Sequence, residues 1–191
     1  MTTVEAFATH EDLAAVLNRT FTEEEQAWVD VLLADASTYL RSVIGQQVYP
    51  QETVTFTDWP DVGRVDLPQF PVVSVAAVER DGRPVRYRLR PGYIDHVHGT
   101  DPVDVTFTFG YATPPEELKR LACVLVSSAL VTLEAGVGLT AGGLSSAALD
   151  DFKLAWADAG ASSGMSLPEI QQAAIRAQFG RGGLALVEYG L

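Results

Sequence analysis

At 191 residues, with 47% hydrophobic and 20% charged side chains, the chain has the material for a folded core and falls outside the compositionally disordered class. Its 13 basic and 25 acidic residues leave a formal charge of −12, which argues against a protein that grips nucleic acid through a basic face. The single cysteine, Cys123, allows no internal disulfide, and no run of about twenty uninterrupted apolar residues offers a membrane helix. One domain, or one domain with a long insertion, is expected at this length. The opening MTTVEAFATHED is acidic and lacks an apolar core, so no signal peptide is expected, and the chain reads as a soluble protein made in a cytoplasm.

The first predicted helix runs from His10 to Arg19. Thr9 and Asp12 have the spacing of a capping box, in which each side chain satisfies a free backbone N–H at the helix start. Thr22 and Glu25 repeat that spacing before a longer helix from Glu23 to Ile44, which Gly45 can end in the left-handed conformation. Its apolar stripe is Trp28, Val31, Leu32, Tyr39, Leu40, Val43 and Ile44. Glu23, Glu24 and Glu25 lie in the first turn, where the helix dipole favours negative charge, so they read as a solvated face and not as catalytic acids.

From Pro50 to Tyr111 the period changes to two. Thr53 to Thr57 alternates about Val54 and Phe56. A valine-rich strand covers Val72 to Arg80, and Asp81-Gly82 turns it into Pro84 to Leu89. Tyr93 to Val97 is a short strand. In the last strand Val103, Val105, Phe107 and Phe109 share one face, and Asp104, Thr106 and Thr108 share the other. Prolines 60, 68, 71, 84, 91 and 102 suit short strands, edges and turns. The segment is expected to form a small antiparallel sheet or partial barrel inserted between helices.

Thr113 to Glu116 has capping-box spacing, with Pro114 and Pro115 in the first turn of a third helix reaching about Glu134. Leu118, Leu121, Ala122, Leu125, Ala129 and Leu133 form its stripe, while Val124, Val126, Leu130 and Val131 lie off it. A helix apolar on more than one side is central in its fold or faces a partner subunit. Gly136 to Ser146 reads as a loop and Asp151 to Ala157 as a strand. A last helix opens at Ser166, Pro168 and Glu169 and ends near Phe179-Gly180. Both termini, among them the Gly-rich apolar tail GRGGLALVEYGL, are expected to be held by neighbouring chains. The fold class expected is therefore α+β: a helical bundle of two N-terminal helices, a long central helix and a C-terminal helix, with an inserted small antiparallel sheet or partial barrel. Residues 50–111 are the β-rich insertion and 180–191 the extended tail.

Chemical motifs are weak. Gly136-Val137-Gly138-Leu139-Thr140-Ala141 matches a relaxed dinucleotide fingerprint, but a helix feeds it where a strand is needed. Gly160-Ala161-Ser162-Ser163-Gly164 matches a nucleophile elbow, yet the last histidine, His98, precedes the serine where the hydrolase order needs it to follow. His96 and His98 would share a strand face near Asp95 and Asp101, with no second cluster to complete a metal site. Asp58/Asp61 and Asp150/Asp151 could be cast as glycosidase carboxylates, but turn and capping roles are commoner for aspartate. Cys123 lies in an apolar helical run and reads as a buried, inert thiol. No catalytic residue, cofactor or metal is expected.

The order of elements is the stronger signal. Two opening helices, EDLAAVLNRTFTEEEQAWVDVLLADASTYLRSVIG, precede a Pro-flanked valine strand and Asp-Gly hairpin, LPQFPVVSVAAVERDGRPV. The strand-turn-helix VTFTFGYATPPEELKRLACVLVSSAL follows, and a closing segment runs from Leu149 to Arg181. From about Glu11 to Phe179 this order resembles the head-to-tail connector (adaptor) proteins of long-tailed bacteriophages, with a longer β-rich insertion than the minimal helical members. The resemblance implies a structural virion protein and not an enzyme. It implies a homo-oligomeric ring, a dodecamer, at the head–tail junction, assembled in the host cytoplasm. That ring would lie between the portal and a tail-side connector or stopper protein, with DNA passing through its lumen without sequence-specific binding. An acidic lumen would repel phosphate and let DNA slide. A closing ring needs two different sticky surfaces on each subunit. The candidates for partner binding are Val124, Val126, Leu130 and Val131 of the third helix with Leu184, Leu186, Val187 and Tyr189 of the tail, which could add a strand to a neighbour. The alternatives are another virion ring such as a tail-side stopper or completion protein, a small serine hydrolase using Ser162, and a β-rich ligand-binding module.

Overall fold

The computed structural model describes residues 5–136 and 166–180. The chain divides into two compact units, Met1–Leu40 with Pro115–Gln171 and Arg41–Pro114 with Gln172–Leu191. Among the described residues there are four helices, α1 (His10–Leu17), α2 (Glu23–Ile44), α3 (Glu116–Gly136) and α4 (Glu169–Phe179). The strands are β1 (Glu52–Asp58), β2 (Val65–Asp66), β3 (Val72–Arg80), β4 (Arg83–Pro84), β5 (Arg88–Arg90), β6 (Tyr93–Asp95) and β7 (Val103–Phe109). They form one antiparallel sheet in the order β1-β7-β3-β4 and a second in the order β2-β6-β5. The protein is a mixed α+β fold, and the expected helical bundle carrying a partial barrel is not what forms. Both sheets stay open. Pro84, in edge strand β4, has no N–H to offer a further strand on that edge.

In the first unit both predicted capping boxes are present. Asp12 N donates to Thr9 Oγ1 while Thr9 N donates to the Asp12 carboxylate at 3.0 Å. Thr22 N donates to Glu25 Oε2 at 2.8 Å and Glu25 N reaches back to Thr22 Oγ1 at 3.4 Å. Each cap contributes about 1 kcal/mol to its helix. The buried stripe of α2 in this unit runs through Val29, Leu32, Leu33, Ala36, Ser37 and Leu40, so it is rotated from the expected one, and Val31 faces out. Large side chains alone mark the wrong centre line, because the core here includes a small pair, Ala36 and Ser37. Ser37 Oγ accepts from Phe7 N at 2.9 Å and donates to Leu33 O at 2.6 Å, which satisfies a hydroxyl and an N–H away from water. Lys119 of α3 reaches Asp12 of α1 at 3.3 Å.

Helix α3 starts later than expected. Its first bond runs from Lys119 N to Pro115 O, and Glu116 pairs with Lys119 at 3.5 Å instead of closing a box with Thr113. The reason is steric: a residue before proline is pushed out of the helical region, so Pro114 cannot join a helix that Pro115 opens.

In the second unit β1 and β7 pair over their full lengths, Glu52 opposite Phe109 and Asp58 opposite Val103. One face is polar. Thr53 and Thr108 hydroxyls meet at 2.8 Å, as do Thr55 and Thr106, and Thr57 donates to Asp104 at 2.6 Å. Such cross-strand pairs each contribute roughly 0.2–1 kcal/mol and fix the register. The opposite face buries Val103, Val105, Phe107 and Phe109 with Val72, Val78, Val65 and Ile94, so the alternation read from the sequence holds along β7. Strand β7 stops at Gly110, whose φ of 90° a side chain rarely adopts. A Cβ there would lie 3.0 Å from Pro50 O and 3.2 Å from Val48 O. The end of α4 is tied into this unit as well. Gln46, buried, accepts from Phe70 N and donates to Phe179 O, and Arg176 Nε donates to Val43 O at 2.9 Å.

Candidate functional site

Among the described residues, a group of chemistry-bearing side chains gathers at the end of β6. That strand ends at Asp95, two residues short of the expected Val97, because His96 turns left-handed at φ 64°. His96 and His98 therefore do not share a strand face. Asp95 accepts from Arg90 Nε at 2.9 Å, and its other oxygen lies 2.7 Å from His96 Nδ1. The Arg90 hydrogen bond, followed by that of His96, holds the Asp95 carboxyl below the ordinary aspartate range. A shallow groove of about 480 Å³ adjoins them, bounded by Val62, Gly63, Arg64, Tyr93 and Gly99. Arg64 stacks 3.9 Å over the Tyr93 ring and pairs with Asp66 at 2.6 Å. Both Asp95 oxygens and the Arg64 guanidinium are thus committed to local structure. Among the described residues no three His, Cys, Asp or Glu side chains form a metal-holding group.

The other sequence motifs fall where chemistry gains nothing. Cys123 is buried, and burial pushes its thiol up to about 11, which leaves it protonated and unreactive at neutral pH. Asp58 accepts from the backbone N–H of Trp59, and Asp61 exchanges backbone bonds with Arg64, so both serve a turn. Gly136 is the last residue of α3; 137–141, the elbow containing Ser162, and Asp150/Asp151 lie outside the described residues.

Apolar exposure is the remaining signal, and it occurs in both units. On α3 the four off-stripe residues divide. Val124 and Val131 are 45% and 65% exposed, while Val126 and Leu130 are 0% and 7% exposed and belong to the protein's own core. Val124 and Val131 lie seven residues apart, two turns of helix, and share one outward stripe with Arg120 and Ser128. The tail candidates Leu184, Leu186, Val187 and Tyr189 lie outside the described residues.

In the second unit the turn between β1 and β2 presents Trp59, 65% exposed, and Val62, fully exposed. Reciprocal bonds between Asp61 and Arg64 of 2.8 and 2.9 Å close this turn around Val62 and Gly63, at φ 50° and 80°. Two successive left-handed residues make the type I′ hairpin geometry, which a β-branched residue strongly resists. The turn is nonetheless well held: Val97 N donates to Gly63 O at 3.0 Å. Reasoning from sequence passed over Trp59 and Val62. The available signal was a tryptophan and a valine inside a turn segment, DWPDVGR, with no strand partner for either.

No helix among the described residues is long and apolar enough to cross a membrane. No protein-family model matches the chain, and no curated protein matches it.

Proposed function

We propose that this chain is the subunit of a ring at the head–tail junction of a bacteriophage, a structural protein that joins capsid to tail beneath the portal and lets DNA pass. The observation that carries the reading is the order and spacing of elements. Two capped helices lead into an antiparallel β region, which returns through β7, Gly110 and Pro114-Pro115 into a long apolar helix. The arrangement of side chains supports a structural role: the buried thiol is inert, the Asp95 cluster is closed on itself, and each unit presents its own apolar surface. A closing ring is built from heterologous contacts, so each subunit must present two unlike surfaces. Val124 and Val131 on α3 supply one, and the Trp59–Val62 turn supplies the other. The tail from Arg181 onward, with Leu184, Leu186, Val187 and Tyr189, is the segment proposed to engage the portal by adding a strand.

Binding order tests this function against the tail-side stopper. Purified protein mixed with portal alone should co-sediment with it in the absence of every other tail protein. Binding that requires a preformed portal–adaptor complex would assign the chain to the stopper position instead. Removing residues 181–191 should leave a folded subunit, by circular dichroism, that no longer joins the portal. Undiminished portal binding after that deletion would remove the tail from the interface.

A further inference from the structure

A sheet edge is a row of unpaired backbone groups, and proteins blunt such rows with short strands, prolines, bulges or charged side chains, lysine above all. Among the described residues the two sheets have four edges, formed by β1, β4, β2 and β5. Three of them are blunted. Strand β2 is two residues long, β4 is two residues long and carries Pro84, and β5 is three residues long, two of them Arg88 and Arg90. The fourth, β1, has seven residues with no proline and no basic side chain, and its only charges, Glu52 and Asp58, sit at its two ends. Its register with β7 runs through seven pairs without a bulge, whereas β3 shifts twice against the same strand.

Hydrogen-bond parity determines which groups that edge presents. Gly110 N donates to Pro71 O at 2.9 Å, so Gly110 turns its backbone towards β3. Val85 N donates to Val78 O, so Val78 turns its own backbone away from its β7 partner, Val105. Successive residues of a strand alternate, so Val103, Val105, Phe107 and Phe109 bond across to β1, where their partners are Asp58, Phe56, Val54 and Glu52. Thr53, Thr55 and Thr57 fall in the non-hydrogen-bonded pairs, in which side chains stand closer, and the 2.8 Å contacts of Thr53 with Thr108 and of Thr55 with Thr106 fit that spacing. The N–H and C=O groups of these three threonines therefore point outward, and all three residues are exposed. No described residue meets those backbone groups.

The faces and ends of the edge define what fits it. One face carries the threonine hydroxyls, and the other carries Val54 and Phe56, half-buried against the core. The β1–β7 ribbon holds Glu52, Asp58 and Asp104 and no basic residue. Each acid accepts from a neutral donor, respectively Gln47 Nε2, Trp59 N and the Thr57 hydroxyl, so the three charges stay unbalanced. We infer that the outer edge of β1 is a strand-docking site, and that its occupant is an extended segment of another protein, hydroxyl-bearing on one face, apolar on the other and basic at both ends. Backbone bonds give such a contact its affinity, and the charged ends select the partner. The β1 strand of a second copy is the wrong occupant: full-length antiparallel self-pairing sets Glu52 opposite Asp58 at both ends, and like charges across a ladder are destabilising. The inference stands apart from the ring reading and does not depend on ring formation.

Amide shifts and amide exchange of the full chain test it with synthetic peptides at low salt. The probe Lys-Thr-Val-Thr-Val-Thr-Lys, laid antiparallel with its central threonine opposite Thr55, sets a lysine at each terminal acid of β1. In the free protein the amides of Thr53, Thr55 and Thr57 should exchange fast and those of Val54 and Phe56 slowly, and the probe should shift and protect the three threonine amides. Glutamates in place of its lysines should weaken binding about tenfold, and proline in place of its central threonine should abolish it. In the protein, Thr55→Pro removes an outward N–H, so probe binding should be lost while Val54 and Phe56 keep their protection. Glu52→Gln/Asp58→Asn leaves the backbone untouched and should bring the lysine and glutamate peptides to within about twofold of each other. Equal binding of those two peptides by the wild type, or a probe that leaves the threonine amides unmoved, would overturn the inference. Wild-type self-association that Thr55→Pro abolishes would give the edge to a second copy. Threonine amides protected in the free chain and released by Leu186→Pro would give it to the chain's own tail, and either result overturns the foreign occupant.

Discussion

The two units of this chain solve the same problem with opposite means. The first is helical among its described residues, strongly acidic, and held by capping boxes and one buried hydroxyl. The second is nearly neutral, built on two open sheets, and held by a threonine ladder and a core of valines with Phe107 and Phe109. Local signals fix where the helices of the first unit begin, because a cap depends on residues three apart. Pairings between distant residues fix the sheet unit, where Thr53 meets Thr108 and Gln46 meets Phe179. The fold difference sets how each one fails.

The largest test of that contrast is a cavity in the sheet unit. Phe107→Ala removes a fully buried ring that packs edge-on against Phe56, and should cost about 3–5 kcal/mol. Amide exchange should rise first in β1, β3 and β7, before α1 and the capped start of α2. Equal loss of protection in both units would show that the division carries no energetic weight. Next comes the corner where β7 ends. Gly110→Ala forces a side chain into the left-handed region against two carbonyl oxygens, and a loss of roughly 1–3 kcal/mol in thermal unfolding is expected. An unchanged midpoint would mean that the corner relaxes freely.

A smaller effect is the pH dependence of the capped helices. Glu25 is held below the ordinary glutamate range by the Thr22 backbone N–H and, further, by the Thr22 hydroxyl and Arg19. Asp12 is held low as well: burial opposes its ionisation, but the Thr9 N–H and Lys119 outweigh it. A lowered folded pKa gives stability that is present above the unfolded value and lost as pH falls through the folded one. Acid should therefore weaken the capped helices. Glu25→Gln, which cannot ionise, should flatten part of the acid limb of a melting-temperature profile, and an unaltered limb would contradict the assignment. The smallest effect has the opposite sign. Val62→Asn suits the left-handed first position of its turn and should stabilise the sheet unit by about 1 kcal/mol. In the same variant, any partner contact made by the Val62 side chain should weaken.

These tests follow the line between what the sequence made legible and what it did not. Thr9/Asp12, Thr22/Glu25 and the alternation from Val103 to Phe109 were readable because each is a short-range pattern with a direct physical cause. The face of α2 was misread because Ala36 and Ser37 fill its core while the larger Val31 points out. Val126 and Leu130 were grouped with Val124 and Val131 because a helix apolar on more than one side gives little phase with which to separate them. The strand through His96 and His98 failed at one left-handed residue that no local rule required. The five arginines from Arg80 to Arg90 were visible as five charges in eleven positions, but the chain-wide total of −12 concealed them.

The measurement that bears most directly on the proposed function is imaging. Negative-stain micrographs of the purified protein, alone and mixed with portal, should show closed rings, with those in the mixture coaxial with the portal and attached to one end of it. Single subunits in both samples, with no added density on the portal, would contradict the connector reading.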